Sequence, residues 1–246
     1  MPHRRLTLPF PVESRKRLHP AANLDRIKKV MKTVELMIFD LDGTLVDSGT
    51  DLVEAVNHAL SDLGLPVLPK EKIIGYVGDG VRKLIERSLG EKAGSLKDRA
   101  LALFLSHYEK HLLDSTIPYP GVPEILEHFA PTRKVILTNK THRFSVRIVE
   151  ALGLAPYFED ICGMDSHPYG KPDPRLIRFL LEKHGARPEK TAVIGDGVND
   201  ILLAKNGGAL SCALLNGLGD RNSLLRLEPD YALEDIRELS RVLSPL

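Results

Sequence analysis

The chain has 246 residues, enough for one domain with an insertion or for two small domains, each able to bury a core without staples. Hydrophobic residues make up 43% and charged residues 27%, which excludes a disordered or collagen-like chain, and no apolar run approaches the ~20 residues of a membrane span. The net charge of +1 hides an asymmetry: residues 1–32 hold nine Lys/Arg against two acids, and the rest holds 25 Lys/Arg against 31 acids. That mildly acidic body gives no electrostatic reason to expect nucleic acid. Cys162 and Cys212 cannot make a disulfide framework or a four-thiolate zinc site, so a reducing, cytoplasmic setting is expected.

In chain order, residues 1–33 read as a basic N-terminal extension expected to be disordered, with Pro2, Pro9, Pro11, Pro20 and the cluster Arg15-Lys16-Arg17. An organelle-type presequence, or a start-codon artefact with Met31 as the working start, compete with that reading. A secretory signal would need an apolar h-region, and none is present. Leu36-Met37-Ile38-Phe39 then stops abruptly at Asp40, as a buried parallel strand does. Helical spacing follows at Leu52, Val56, Leu60 and Leu63, at Val81, Leu84, Ile85 and Leu89, and at Leu101, Phe104, Leu105, Tyr108 and Leu112.

From Pro120 the elements alternate. A helix over 122–129 precedes a strand at Val135–Leu137, and a helix over 144–152 precedes a weak strand near Ile161. A helix opening with Pro172 and Pro174 leads to a strand at Ala192–Ile194. A helix over 201–206, a strand over 209–215 and a strand–helix pair over 231–242 finish the chain. This pattern predicts an α/β fold with a Rossmann-like parallel sheet, its core drawn from residues 34–48 and 118–246. Residues 49–117 do not alternate and are expected to form a separate inserted helical domain.

Chemistry concentrates at the predicted strand ends. Asp40-Leu41-Asp42-Gly43-Thr44 follows the first strand, and residues i and i+2 of an extended chain point the same way, so both carboxylates can face one site. Ligands of open α/β sheets bind outside the carboxyl ends of strands. Gly43 permits a tight turn in which nearby amides can face an anion. Gly195-Asp196-Gly197-Val198-Asn199-Asp200 brings two more acids to another strand end. Converging carboxylates repel without a cation, and a hard divalent ion, Mg²⁺ beside a phosphate, resolves this. Thr138 and Asn139 can donate to phosphoryl oxygens, and Lys171 before a helix can neutralise a phosphate. His107 and His111 are spaced i, i+4, but no third ligand lies nearby in the sequence, so an ordinary helix surface is expected. Gly75–Gly80 is glycine-rich but follows no strand, and is expected to be a turn facing the site.

Acid pair, Thr, Lys and acid pair, in that order, resemble the four motifs of the haloacid dehalogenase superfamily of phosphatases over roughly residues 36–242. The helical insertion is similar to that superfamily's cap, and Tyr76–Val81 and Tyr108–Pro120 look most like phosphoglycolate phosphatases. The resemblance implies Asp40 as nucleophile forming an aspartyl-phosphate and Asp42 as general acid and base. It also implies Mg²⁺ held by the Asp40 carboxylate, the Asp42 backbone carbonyl and Asp196, with Asp200 supporting that shell. Gly43, Thr138, Asn139 and Lys171 would bind phosphate. The implied partner is a small phosphorylated metabolite, with 2-phosphoglycolate leading and nucleotides, sugar phosphates and pyrophosphate open. Homo-oligomerisation is left open, and neither nucleic acid nor membrane is expected as a partner. Asp42 disfavours a dehalogenase, Thr44 a mutase, and the absence of membrane spans a transport ATPase. A binding protein acting through the basic tail is the alternative from another class.

Overall fold

The computed structural model describes residues 31–246, so the expectations for residues 1–30 lie outside the described residues. Its centre is a six-stranded parallel sheet made of β2 (Leu36–Phe39), β5 (Arg133–Leu137), β6 (Asp160–Cys162), β7 (Thr191–Gly195), β8 (Leu210–Leu214) and β9 (Tyr231–Leu233). The strand order is β6-β5-β2-β7-β8-β9. Successive side chains of β2 alternate between two apolar cores: Met37 and Phe39 enter one, Leu36 and Ile38 the other. A strand covered on both faces therefore reads as a continuous apolar run.

The order reverses at β2. The chain first builds outward through β5 and β6, then returns to place β7 on the other side of β2. A crevice must open at the carboxyl end of β2, and Asp40 stands there, its N–H donating to the Ile194 carbonyl at 2.9 Å. Helices α5 (Val122–His128), α6 (His142–Ala151), α7 (Pro174–His184) and α8 (Val198–Gly207) flank the sheet. In α7 the start differs by two residues from the expectation: Asp173 is the N-cap, accepting from the Arg175 N–H at 2.9 Å, and only Pro174 lies inside. Helix α9 (Arg221–Arg226) has no counterpart among the expected elements, α10 (Leu239–Val242) is shorter than expected, and β1 (Lys32–Val34) pairs with β10 (Leu243–Pro245). Lys32 and Thr33, assigned to the extension, are thus strand residues.

The inserted stretch forms α1 (Gly49–Asp62), α2 (Lys70–Ile74), α3 (Val81–Leu89) and α4 (Ala93–His111). It does not keep a core to itself. One apolar cluster runs from Met37 and Phe39 through Leu52, Val56, Phe104 and Tyr108 to Phe144. Both chain crossings are tied together by a two-stranded antiparallel ribbon, β3 (Val46–Asp47) with β4 (Ile117–Pro118). Asp51, 1% exposed in the first turn of α1, locks that junction. Its carboxylate accepts from the Ser115 N–H at 2.9 Å, the Thr116 N–H at 2.9 Å and the Thr116 hydroxyl at 2.6 Å. Among the described residues no helix is long and apolar enough to cross a membrane.

Truncating Asp51 leaves the two buried donors of Thr116 and the part-buried Ser115 N–H without an acceptor. Asp51→Ala should cost about 3 kcal/mol in urea unfolding, and Asp51→Asn distinctly less. Equal, small losses from both would show that the junction does not depend on this carboxylate.

Candidate active site

The loop after β2 turns sharply because Gly43 takes φ +83°, a left-handed conformation that glycine adopts without strain. A Cβ there would lie 2.0 Å from Asp196 Oδ2, so no other residue fits. The turn brings Thr44 Oγ1 within 2.8 Å of Asp196 Oδ1, to which it donates. The other Asp196 oxygen accepts from the backbone N–H groups of Leu218 at 2.8 Å and Gly219 at 3.1 Å. Gly217, Leu218 and Gly219 were not singled out in the sequence. Their signal is a Gly-x-Gly close after β8, where a Cβ on Gly217 would sit 2.3 Å from that of Asp196.

Asp40, Asp196 and Asp200 converge, each offering a carboxylate oxygen within 4.8 Å of the others. Lys171 closes one side of the cluster, its Nζ lying 2.9 Å from Asp40 Oδ1 and 2.6 Å from Asp200 Oδ1. Burial alone would push the Lys171 ammonium down, but Asp200 and Asp40 outweigh it and hold the pKa above the usual lysine range. Burial, then the Asp40 and Asp200 charges, raise Asp196 to about 7 against the opposing hydrogen bonds from Thr44 and Leu218. Asp200 is raised by burial as well, with Lys171 pulling the other way. One ammonium facing three acids leaves an excess of negative charge, and oxygen-only donors at this spacing fit a hard divalent cation.

The Asp42 carboxylate is not part of that cluster and has its own partners. Its Oδ1 accepts from Ser48 Oγ at 2.5 Å, and both its oxygens accept from Lys140 Nζ, at 2.9 and 3.1 Å. Lys140 also donates to the Tyr108 hydroxyl at 2.6 Å, so a residue on the insertion touches the general acid–base candidate through one lysine. Tyr108 itself is pushed up to about 12, chiefly by burial. Lys140, Ser48 and Tyr108 were missed as site residues. The signal for Lys140 was its place directly after Thr138-Asn139 at a strand end.

Two expected phosphate binders prove otherwise engaged. The Gly43 N–H donates to the Val46 carbonyl at 2.9 Å, closing the turn instead of facing an anion. The Asn139 side chain spends its N–H groups on the carbonyls of Gly78 at 2.9 Å and Lys171 at 3.3 Å, and accepts from the Lys171 N–H at 3.0 Å. It therefore fixes the Lys171 loop against the glycine-rich turn of the insertion, whose Asp79 also accepts from Asn199 at 2.7 Å. Thr138 lines the cavity, with its Oγ1 accepting from the Lys140 N–H at 3.2 Å.

His107 and His111 stack at 4.3 Å between ring centroids, and His58 of α1 stacks on His107 at 4.1 Å. Their rings lie in a file and do not converge. Among the described residues the three-ligand group within metal reach is Asp40, Asp196 and Asp200. Cys162 and Cys212 are buried, and no disulfide joins them.

The cavity beside Asp40 and Asp42 has a volume of about 60 Å³ and opens to solvent, and Gly78, Gly80, Leu84, Phe104, Tyr108, Thr138 and Lys140 contribute to its wall. Asp40 alone among the described residues belongs both to this wall and to the three-acid cluster.

Residues 37–214 match the family model of the haloacid dehalogenase-like hydrolases. The phosphoglycolate phosphatase of Vibrio cholerae is 36% identical over 221 residues, covering 86% of this chain and 98% of the relative. That of Chromobacterium violaceum is 36% identical over 216 residues, 85% and 96% of the two chains. Among solved structures, a predicted phosphoglycolate phosphatase from Haemophilus somnus superposes with a TM-score of 0.81 at 27% identity, covering 85% of this chain and 97% of that one. A hydrolase from Pseudomonas syringae gives 0.69 at 30% identity, covering 85% and 96%.

A carboxyl raised in the folded state binds its proton more tightly there than in the unfolded chain. Asp196 therefore contributes stability that is fully present below its unfolded value near 4 and is lost as the pH rises through about 7. A divalent cation removes the repulsion that appears over this window. Millimolar Mg²⁺ or Mn²⁺ should raise the melting temperature distinctly more at pH 7.5 than at pH 5 in scanning calorimetry. An equal gain at both values would mean that the cation is not held by this cluster.

Proposed function

The chain belongs to the haloacid dehalogenase-like hydrolases and is a phosphatase of that family, and we propose that it is a Mg²⁺-dependent hydrolase of 2-phosphoglycolate acting through an aspartyl-phosphate. The observation that carries this reading is the double position of Asp40, in the cavity wall and in the acid cluster. A carboxylate there can reach a phosphorus bound in the cavity while its own charge is shared with Lys171 at 2.9 Å. The names of the relatives support the choice of substrate.

In the proposed reaction an Asp40 oxygen forms a bond to phosphorus as the bond to the leaving oxygen breaks in line. Asp42, two residues on and lining the same cavity, gives its proton to the departing alkoxide. It then takes a proton from the water that attacks phosphorus, which frees inorganic phosphate and restores the Asp40 carboxylate. Thr138 and Lys171 steady the negative charge on the transferring group. Asp40, Asp196 and the Asp42 backbone carbonyl, with Asp200 beside them, would hold Mg²⁺, which supplies positive charge against the phosphoryl oxygens. The insertion serves as a cap that shields the cavity, its glycine-rich turn being tied to the sheet through Asn139.

Phosphate release from a panel of 2-phosphoglycolate, AMP, glucose 6-phosphate and pyrophosphate tests this. The highest kcat/KM is expected for 2-phosphoglycolate, lost with EDTA and restored by Mg²⁺. Asp40→Asn should lower kcat by at least roughly 10³-fold with the melting curve retained. A profile led by AMP would keep the mechanism and remove the substrate, whereas an active Asp40→Asn protein would remove the nucleophile.

A further inference from the structure

The cavity wall away from Asp40 is apolar, with Leu52, Val77, Val81, Leu84, Phe104 and Phe144. Among the described residues that line it, Lys140 carries the one positive charge. Its ammonium is fully occupied: Asp42 takes it on both oxygens, at 2.9 and 3.1 Å, and Tyr108 accepts it at 2.6 Å. The side chains are 6% exposed for Lys140 and 13% for Asp42. Because the Tyr108 oxygen accepts from Lys140, its own proton is available, and among the described residues it meets no acceptor. An ammonium with a phenol O–H beside it offers the two donors a carboxylate takes, and in this structure Asp42 occupies the ammonium alone.

We propose that Lys140 and Tyr108 form the subsite for the leaving group's carboxylate, which displaces Asp42 from Lys140 and so releases Asp42 toward the departing oxygen. The inference rests on the reading of the enzyme as a 2-phosphoglycolate phosphatase and adds to it how the leaving group is read. Three features of the site favour it. Lys140 on both oxygens and Ser48 on one fix the Asp42 carboxylate in place, so reaching a departing oxygen requires it to exchange partners. A cavity of about 60 Å³ takes on the order of four waters' worth of ligand, which suits a two-carbon acid. The apolar remainder would leave a sugar's hydroxyls without partners. Specificity then follows from the exchange: a leaving group without a carboxylate leaves Asp42 on Lys140, and the proton donor stays away from the reaction.

The test compares 2-phosphoglycolate with 2-hydroxyethyl phosphate, a substrate of nearly the same length whose carboxylate is replaced by a neutral alcohol. In the wild-type protein kcat/KM should favour the acid by at least about tenfold. In Lys140→Met both substrates lose rate, because Asp42 also loses a partner, but the preference should collapse to near unity. Tyr108→Phe keeps the ring and the buried packing, and should lower the preference severalfold, mainly through KM. Glycolate should inhibit the wild-type enzyme competitively and Tyr108→Phe more weakly. A preference that survives in both variants overturns the subsite while leaving 2-phosphoglycolate as substrate. Should Lys140→Met fail to fold, an unchanged preference and unchanged glycolate inhibition in Tyr108→Phe decide against it equally. A wild-type enzyme that makes no distinction overturns both the subsite and the choice of substrate, with the role of Asp40 judged separately by Asp40→Asn.

Discussion

Three carboxylates forced within 4.8 Å of one another at the end of a parallel sheet are the constraint around which this molecule is arranged. Left alone they would repel, and nearly every unusual feature nearby answers that repulsion. Lys171, buried to 2% exposure, bridges Asp40 and Asp200. Asp196 is held by a hydroxyl and two backbone N–H groups, and two loops give up every side chain atom where they pass it. The remaining charge excess favours a divalent cation, and under the proposed function that cation would sit beside the carboxylate that faces the cavity.

The insertion completes the site from the other side. Because its apolar face merges with the core above the sheet, Tyr108 and the Gly78 turn arrive at fixed positions over Asp42 and Asn139. Anchoring by Asp51 at the two crossings restricts how the helices sit relative to the strands they interrupt. The site is thus built by two parts of the chain, the acids at the sheet and a largely apolar wall from the helices. Lys140 stands at the boundary and touches both, donating to Asp42 on one side and Tyr108 on the other.

Much of this could be read before any coordinates. The apolar run 36–39 ending at Asp40, the alternation after Pro120 and the two acid motifs pointed to a parallel sheet with carboxylates at its strand ends, because a doubly covered strand has no polar face to show. Other features were not legible. The short pairs β1–β10 and β3–β4 have too few residues for a period of two to register. Gly43 and Asn139 have the residue types of an anion site, yet the carbonyls of Val46, Gly78 and Lys171 claim their donors. A residue type specifies donors and acceptors, and says nothing of which partner reaches them first.

The sequence by itself determined what a single segment can encode: strands and helices from their periodicity, and the identity of the acids, since Asp-x-Asp after a buried strand directs both side chains to the same end of the sheet. Only the tertiary structure decided which groups meet. Lys140 lies 98 residues from Asp42 and 32 from Tyr108, and His58 joins His107 and His111 from another helix without converging on a common point. Such contacts depend on the packing of a shared core and on the order of strands about β2, and those are properties of the whole chain folded at once.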